Sequence, residues 1–259
     1  MQGTSQVKLG IMDAVSYLKN GIRLALSKEC RLYIILPVLV NLILLSSLGY
    51  YLFSNLKTLV FNIFEDIPSY LNFLAYIISA ILSITIIFVS CYIFSTLATI
   101  IASPFYGLLA DKVEMILNQS HGEDMTIPQL IKDIPRILLR ELKKQMFFLP
   151  LALACLIISF IPALNLIAPV LWFALTAWMG CLQYCDYAYD NHKIPFNSMQ
   201  RDLKKNPVAT LSFGTVIALS LSVPVLNILI PPAAVCAGTR YYLEIQKNIL
   251  QNIRHNNQE

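Results

Sequence analysis

The sequence predicts an all-α integral membrane protein, and three observations lead to that fold class. Of the 259 residues, 57% are hydrophobic and only 13% are charged, and the mean hydropathy is +0.64. A soluble protein of this size carries about 25% charged residues. Charged side chains are absent from residues 67–110, 145–185 and 207–239, and each stretch exceeds the roughly 20 residues of one membrane helix. Lipid is therefore the expected solvent for much of the chain.

The composition argues against several classes of function. The net charge of +4 lies in short polar stretches without a base-stacking motif, so no nucleic-acid partner is expected. The three histidines are scattered and the six cysteines form no CxxC pair, so neither a metal site nor a cofactor is expected. No nucleophile elbow, phosphate loop or zincin motif occurs. We therefore expect no catalytic residues and no enzyme.

Residues 8–30 are predicted to form an amphipathic helix. One face of this helix is apolar and the other carries charged and hydroxyl side chains at helical spacing. Such a helix lies in a headgroup layer or packs on the soluble face of its own protein, and the pattern leaves both alternatives open. The apolar face consists of Ile11, Val15, Leu18, Ile22, Ala25 and Leu26, and the polar face of Asp13, Ser16, Lys19, Arg23 and Ser27.

Two long transmembrane helices are predicted next, over residues 32–53 and 73–102. The first apolar run has no small-residue cleavage site, so we expect it to remain in the membrane. The second run is long enough to tilt or to protrude from the bilayer. The Ser103-Pro104 step is expected to end it, because proline disfavours helical backbone in the residue before it.

Residues 104–145 again have amphipathic character and carry a basic stripe. The stripe is either a solvated face near anionic headgroups or a vestibule that attracts anions. Its members, at helical spacing, are Lys132, Arg136, Arg140, Lys143 and Lys144.

An internal repeat of about 61 residues covers the rest of the chain. The pentad Arg140–Lys144 (RELKK) returns as Arg201–Lys205 (RDLKK), 61 residues later. The segment Pro162–Asn165 (PALN) returns as Pro224–Asn227 (PVLN), 62 residues later. Each unit is predicted to consist of a basic helix, an apolar arm, a turn and a returning apolar arm.

Arm length favours two hemi-penetrating hairpins, over residues 146–185 and 208–239. The first arm of each has 16 residues, which reach about 24 Å as a helix, short of a hydrocarbon core of about 30 Å. The turns would then lie inside the membrane, where protein or a water-filled cavity must satisfy the backbone. The turn residues are Pro162, Asn165, Pro224 and Asn227.

The basic residues fit this topology without proving it. Of the 19 lysines and arginines, 18 would lie on one face, leaving only Lys57 on the other, and the positive-inside rule makes the first face cytoplasmic. Complete spans in place of the hairpins would put the same basic residues on the same face. Only the length of the apolar arms therefore distinguishes hairpins from complete spans. Broken helices with basic residues at their ends suit anion conduction, but a non-transporting scaffold or assembly factor fits the same pattern.

The segment Gln183–Phe196 has the sequence QYCDYAYDNHKIPF. This segment resembles the signature stretch of the CysZ family of bacterial sulfate transporters. The resemblance continues in four further segments and runs from about residue 14 to 245. These segments are Ile35–Asn41, Ala102–Ala110, Ala168–Phe173 and Pro231–Gly238.

The resemblance implies a multi-pass protein of the bacterial inner membrane that admits sulfate for cysteine biosynthesis. It implies a channel-like permease without an ATP-binding subunit. It also implies two long transmembrane helices plus two hemi-penetrating hairpins in a single membrane domain, residues 1–259, assembled as a homodimer or larger oligomer. The resemblance therefore implies two partners, sulfate and the lipid bilayer.

The resemblance also implies a sulfate contact where the first amphipathic helix meets the first span. The family has a Gly-hydrophobic-Arg-Arg motif there, and this chain has Glu29, Cys30, Arg31 and Leu32. Arg31 takes the place of the first arginine and could hold two sulfate oxygens. An arginine that only anchors the helix end fits equally. The carboxylate of Glu29 disfavours an anion unless Lys28 or Arg23 neutralises it.

The Asp186–Lys193 part of the signature has two interpretations. It is a structural cap, or it lines an entrance at which His192 and Lys193 supply positive charge.

Overall fold

A computed structural model describes residues 9–61, 72–120 and 127–256. The described residues contain helices and turns and no strand, which confirms the all-α prediction. Within these ranges the structure has eight α-helices: α1 (Ile11–Ala25), α2 (Leu32–Phe61), α3 (Asn72–Asn118), α4 (Ile127–Phe160), α5 (Ala168–Asn191), α6 (Phe196–Lys205), α7 (Pro207–Leu221) and α8 (Ile230–Asn256).

The chain divides into two compact units. One unit comprises residues 1–35 together with 103–259, and the other comprises residues 36–102. The smaller unit consists of most of α2 and the first part of α3. Its side chains are largely apolar and exposed, as expected of helices surrounded by lipid. Within it, Asn41 donates a hydrogen bond from Nδ2 to the carbonyl oxygen of Ala98 over 3.1 Å.

The larger unit has its core where α5, α7, α8 and α1 pack together. Glycines bring these helices close. A Cβ atom on Gly214 of α7 would overlap the Ala177 carbonyl of α5, and a Cβ on Gly238 of α8 would lie 2.6 Å from the Tyr184 carbonyl oxygen. Small residues at crossings are the usual means of tight packing between membrane helices, because they let two backbones approach.

Helix α1 packs on α7 and α8 through a face that differs from the predicted one. Ile11 and Val15, which the pattern placed on the packed face, are 58% and 46% exposed. One side of α1 packs on the protein itself, which is one of the two predicted alternatives. Another side keeps an exposed apolar strip, which is compatible with the other alternative, a headgroup layer. The pattern could not separate them because α1 is apolar on more than half of its circumference. The buried residues are Ala14, Tyr17, Leu18, Gly21 and Ala25.

By length and composition alone, three helices among the described residues could cross a membrane, whereas the sequence predicts two long spans. These candidate spans are Leu32–Leu52, Tyr76–Asn118 and Lys132–Phe160. Helix α2 also continues to Phe61, beyond the predicted end at residue 53.

The predicted helix end at Ser103-Pro104 is wrong. Helix α3 continues through Pro104 to Asn118, and α4 likewise contains Pro135 and Pro150. Proline removes one backbone hydrogen bond, and membrane helices tolerate that loss where neighbouring helices pack around the freed groups. The predicted amphipathic region 104–145 is therefore divided between the end of α3 and the beginning of α4.

The two copies of the repeat differ at the start of the apolar arm. In the first copy the arm is not a separate helix, because α4 runs from the basic stripe to Phe160 without a break. In the second copy α6 ends at Lys205 and α7 begins at Pro207. Proline is favoured at the first position of a helix and disfavours helical backbone in the preceding residue. Met146 occupies the equivalent place in the first copy, so nothing interrupts the helix there.

Both predicted turns are present. After α4 the backbone turns through Ala163, which has a φ of 70°, and through a short 3₁₀ segment, Leu164–Leu166. Trp172 then donates a hydrogen bond from Nε1 to Ser159 Oγ over 3.2 Å, which ties α5 back to α4. A second 3₁₀ segment, Pro224–Ile228, connects α7 to α8.

Candidate anion-binding site and buried charge network

The segment between α1 and α2 forms a closed turn. The amides of Cys30 and Arg31 both donate to the Ser27 carbonyl oxygen, over 3.2 and 3.0 Å. The amides of Tyr33 and Ile34 in turn donate to the carbonyls of Cys30 and Arg31. Because these amides at the beginning of α2 are occupied, an anion at this turn would be held mainly by side chains and by the positive end of the helix dipole.

The five residues predicted to bind sulfate have unequal access to solvent. The side chains of Arg31, Glu29 and Arg23 are exposed, and Leu32 is 64% exposed. Cys30 is completely buried, and this burial raises the pKa of its thiol. Lys28 is exposed as well, so the turn presents two cations, Lys28 and Arg31, and one carboxylate, Glu29, together with the buried neutral thiol of Cys30.

Three of the four hairpin-turn residues have exposed side chains. Pro162, Asn165 and Asn227 are exposed, and Pro224 begins the second 3₁₀ segment. The side chains of Asn165 and Asn227 form no hydrogen bond with another residue in the described ranges. Within the described residues, these two side chains therefore do not satisfy the backbone groups of the turns.

A ladder of charges joins α4 to α5. Arg140 lies 2.6 Å from Asp186 between Nη2 and Oδ1, and Lys144 lies 3.2 Å from the other oxygen of the same carboxylate. One turn along, Arg136 forms ion pairs with Asp190 and with Asp133, the second at 2.9 Å. Within the described residues, cations on α4 thus face carboxylates on α5 at matching four-residue intervals.

Glu141 is at the centre of this network and is 1% exposed. Its Oε1 accepts hydrogen bonds from Lys144 Nζ at 2.6 Å and from Ser103 Oγ at 2.8 Å. Gln183 Nε2 lies 3.4 Å from its Oε2. Lys144 is also 1% exposed, and its Nζ lies 4.7 Å from the ring centroid of Tyr187. A buried charge is tolerated when it is paired and hydrogen-bonded in this way.

The basic stripe is therefore neither wholly solvated nor an open vestibule. Lys132 and Lys143 are exposed, as a solvated face requires. The other members are neutralised by neighbouring carboxylates, so they add no net positive charge for an incoming anion. The network contains four cations, Arg136, Arg140, Lys144 and Lys193, and four carboxylates, Asp133, Glu141, Asp186 and Asp190.

The Asp186–Lys193 segment ties three helices together, which supports the cap interpretation. Asn191 donates from Nδ2 to the Gly107 carbonyl of α3 over 2.8 Å, and His192 Nε2 hydrogen-bonds with Glu114 of α3 at 2.9 Å. Lys193, which has a φ of 58°, pairs with Asp133 of α4 at 2.9 Å. The positive charges proposed for an entrance are thus engaged with carboxylates.

The spacing of charged residues could have predicted this network, although the overall composition could not. Arg136, Arg140 and Lys144 recur every four residues on one helix, and Asp186 and Asp190 do so on another. Two ladders of opposite charge with the same period indicate facing helices. Nothing comparable marked Ser103 or Gln183.

No metal centre emerges from the described part of the chain, where no group of three or more His, Cys, Asp or Glu side chains is suited to hold an ion. The sulfur atoms of Cys181 and Cys185 lie 3.8 Å apart in the apolar core of the larger unit.

Comparison with known proteins gives consistent matches over most of the chain. The family described as "Sulfate transporter CysZ/Etoposide-induced protein 2.4" matches residues 17–232. A protein named "Sulfate transporter CysZ" from Vibrio cholerae serotype O1 is 44% identical over 238 residues, which are 92% of this chain and 95% of the relative. Relatives of the same name from Vibrio parahaemolyticus and Salmonella typhimurium are 42% and 41% identical. They cover 88% and 90% of this chain and 92% of their own lengths.

Proposed function

This chain belongs to the Sulfate transporter CysZ/Etoposide-induced protein 2.4 family, and from that premise we propose that it conducts sulfate across the bacterial inner membrane. The single observation that carries the proposal is identity of 41–44% to sulfate transporters over about nine-tenths of the chain. The imported sulfate supplies sulfur for cysteine biosynthesis. The relatives' names do not favour the alternative of a non-transporting scaffold.

The proposed permease is multi-pass and channel-like. Two long helices, α2 and α3, cross the bilayer, and the two hairpins enter it partway. Helix α7 supports partial depth for the second hairpin, since its 15 residues reach only about 22 Å. Helix α4 is long enough to cross the bilayer, so partial depth of the first hairpin is proposed from the resemblance alone. The protein works as a homodimer or larger oligomer, and its single membrane domain covers residues 1–259.

Sulfate first binds at the turn before α2. Arg31 carries the site, because its planar guanidinium can donate two parallel hydrogen bonds to two sulfate oxygens. Its exposed side chain at the positive end of α2 supports this role. Cys30 contributes a neutral thiol, and Leu32 an apolar wall. A dianion beside Glu29 requires more positive charge than Arg31 supplies, and the exposed Lys28 and Arg23 provide it.

Permeation requires that this site bind sulfate weakly enough to release it. A single exposed arginine meets that requirement better than a buried cluster, because water competes for its hydrogen bonds. The neutralised α4–α5 network suits it as well, since it leaves no deep positive trap in which a dianion would remain.

Sulfate uptake by proteoliposomes tests the function directly. The purified protein is reconstituted, and uptake of radiolabelled sulfate down its gradient is followed without ATP. We expect an initial rate well above that of empty liposomes, and unlabelled sulfate should compete with the label. Uptake no faster than in empty liposomes would contradict transport. A protein inactivated by heating before reconstitution is the matched control for leakage.

A further inference from the structure

The repeated pentad occupies two different environments. In the first copy, Arg140 and Lys144 are largely buried, and both pair with Asp186 of α5. In the second copy, Arg201, Lys204 and Lys205 are all exposed. In the first copy only Lys143 is exposed and the other two cations are neutralised, whereas in the second copy all three cations are exposed.

Helix α6 has more positive charge than the protein balances. Its ten residues carry three cations and one carboxylate, Asp202. Within the described ranges none of the three cations forms an ion pair. Arg201 Nη2 donates only to the neutral hydroxyl of Ser198, over 3.0 Å. One carboxylate cannot balance three cations, whatever its environment, and Asp202 is itself half-buried.

The open charges border an apolar surface. Met199 and Leu203, on the opposite side of α6, are completely buried and fix the helix on the core. Immediately after the lysine pair, Val208 at the beginning of α7 is 70% exposed and Leu211 is 39% exposed. In a membrane protein, a boundary at which exposed cations meet exposed aliphatic side chains lies at the level of the lipid headgroups.

We propose that the α6–α7 junction is a binding site for anionic phospholipid, with the phosphate held by Arg201, Lys204 and Lys205 and the acyl chains lying on Val208 and Leu211. Arginine and lysine both bind phosphate oxygens through charge-assisted hydrogen bonds. A freely dissolved anion would use the cations alone, whereas a phospholipid also covers the adjoining aliphatic surface. The inference does not depend on sulfate transport.

Lipid titration of the purified full-length chain tests the site. The protein in detergent is titrated with short-chain phosphatidylglycerol or phosphatidylcholine of equal chain length, and the apparent dissociation constant is taken from the rise in unfolding temperature. We expect stabilisation by phosphatidylglycerol well above that by phosphatidylcholine. Lys204→Gln/Lys205→Gln should weaken phosphatidylglycerol binding about 25-fold, from roughly a fivefold loss per lysine.

Two further variants separate the site from general electrostatics. Lys19→Gln/Lys247→Gln removes the same net charge from exposed lysines on two other helices, and should bind phosphatidylglycerol as the wild type does. Lys204→Arg/Lys205→Arg keeps the local charge and should still be stabilised by phosphatidylglycerol. This variant therefore tests the site even if the glutamine variant fails to fold. Four results would each overturn the proposal. They are equal stabilisation by the two lipids, equal loss of phosphatidylglycerol binding in both glutamine variants, loss of that binding in the arginine variant, and full stabilisation by inorganic phosphate.

Discussion

Arg31→Ala is expected to lower the initial rate of sulfate uptake at least tenfold in proteoliposomes. Each charge-assisted hydrogen bond contributes about 1.5–3 kcal/mol, and 1.4 kcal/mol corresponds to about a factor of ten. Loss of even one such bond therefore has a measurable effect. Initial rates should be compared over a range of sulfate concentrations at fixed ionic strength, because screening changes the interaction of exposed charges.

A lysine at the same position distinguishes binding from anchoring. Arg31→Lys keeps a long cationic side chain that can anchor a helix end, but it loses the planar pair of donors. If Arg31 binds sulfate, the lysine variant should remain several-fold slower than the wild type. Arg254→Ala removes an exposed arginine from the end of α8 and should transport normally. Wild-type uptake by Arg31→Ala would place the sulfate contact elsewhere while leaving transport intact.

Glu141→Gln is expected to destabilise the protein by about 3 kcal/mol, the lower end of the range for breaking a buried ion pair. Glutamine keeps the shape and some hydrogen bonds of Glu141. The buried charge of Lys144 then has only one carboxylate partner, Asp186, instead of two. The unfolding temperature in detergent reports the loss. The double variant Glu141→Gln/Lys144→Met should recover part of it, because a neutral pair no longer leaves a charge uncompensated.

Asp202→Asn is the matched control, since Asp202 is the equivalent of Glu141 in the second copy of the repeat. Asp202 is only half-buried and forms no ion pair with the described residues. Burial raises the pKa of Asp202, so the fold does not favour its charged form, and its removal should be neutral or slightly stabilising. Equal destabilisation by the two variants would contradict a special role for the α4–α5 network.

The helical membrane fold follows from the sequence because it depends on composition and on long uncharged stretches. Helix ends were less predictable. Proline at 104 and proline at 207 have the same local preference, yet α3 passes through the first while α7 starts at the second. Whether a helix tolerates proline depends on the tertiary packing around the freed backbone groups, and a local sequence pattern does not contain that packing.

The length of the helix that contains the first arm was also not predictable from the local pattern. Counting the first arm from Met146 gave 16 residues, but the helix that contains it offers a candidate span of 29 residues, Lys132–Phe160. Helical periodicity placed both basic pentads correctly on helices. It could not show that Arg140 is buried against α5 while Arg201 remains exposed, because burial depends on which helix lies opposite.

We propose that the chain turns back inside the bilayer, so that irregular backbone borders a space wetter than lipid. Helix α7 is short enough for such a turn at Asn227, whereas α4 is long enough to cross. The location of the two turns relative to the bilayer therefore decides between hairpins and complete spans.

Cysteine labelling from each side of the membrane makes this test. Asn165→Cys and Asn227→Cys are introduced separately after the exposed Cys91 and half-buried Cys155 are replaced by serine. Ser54→Cys, just beyond the first candidate span, reports reagent access to the face opposite the basic loops. We predict that an impermeant thiol reagent on that face labels position 54 and leaves 165 and 227 unmodified. Free labelling of 165 and 227 from that face would mean that both segments traverse the membrane, and would contradict the account.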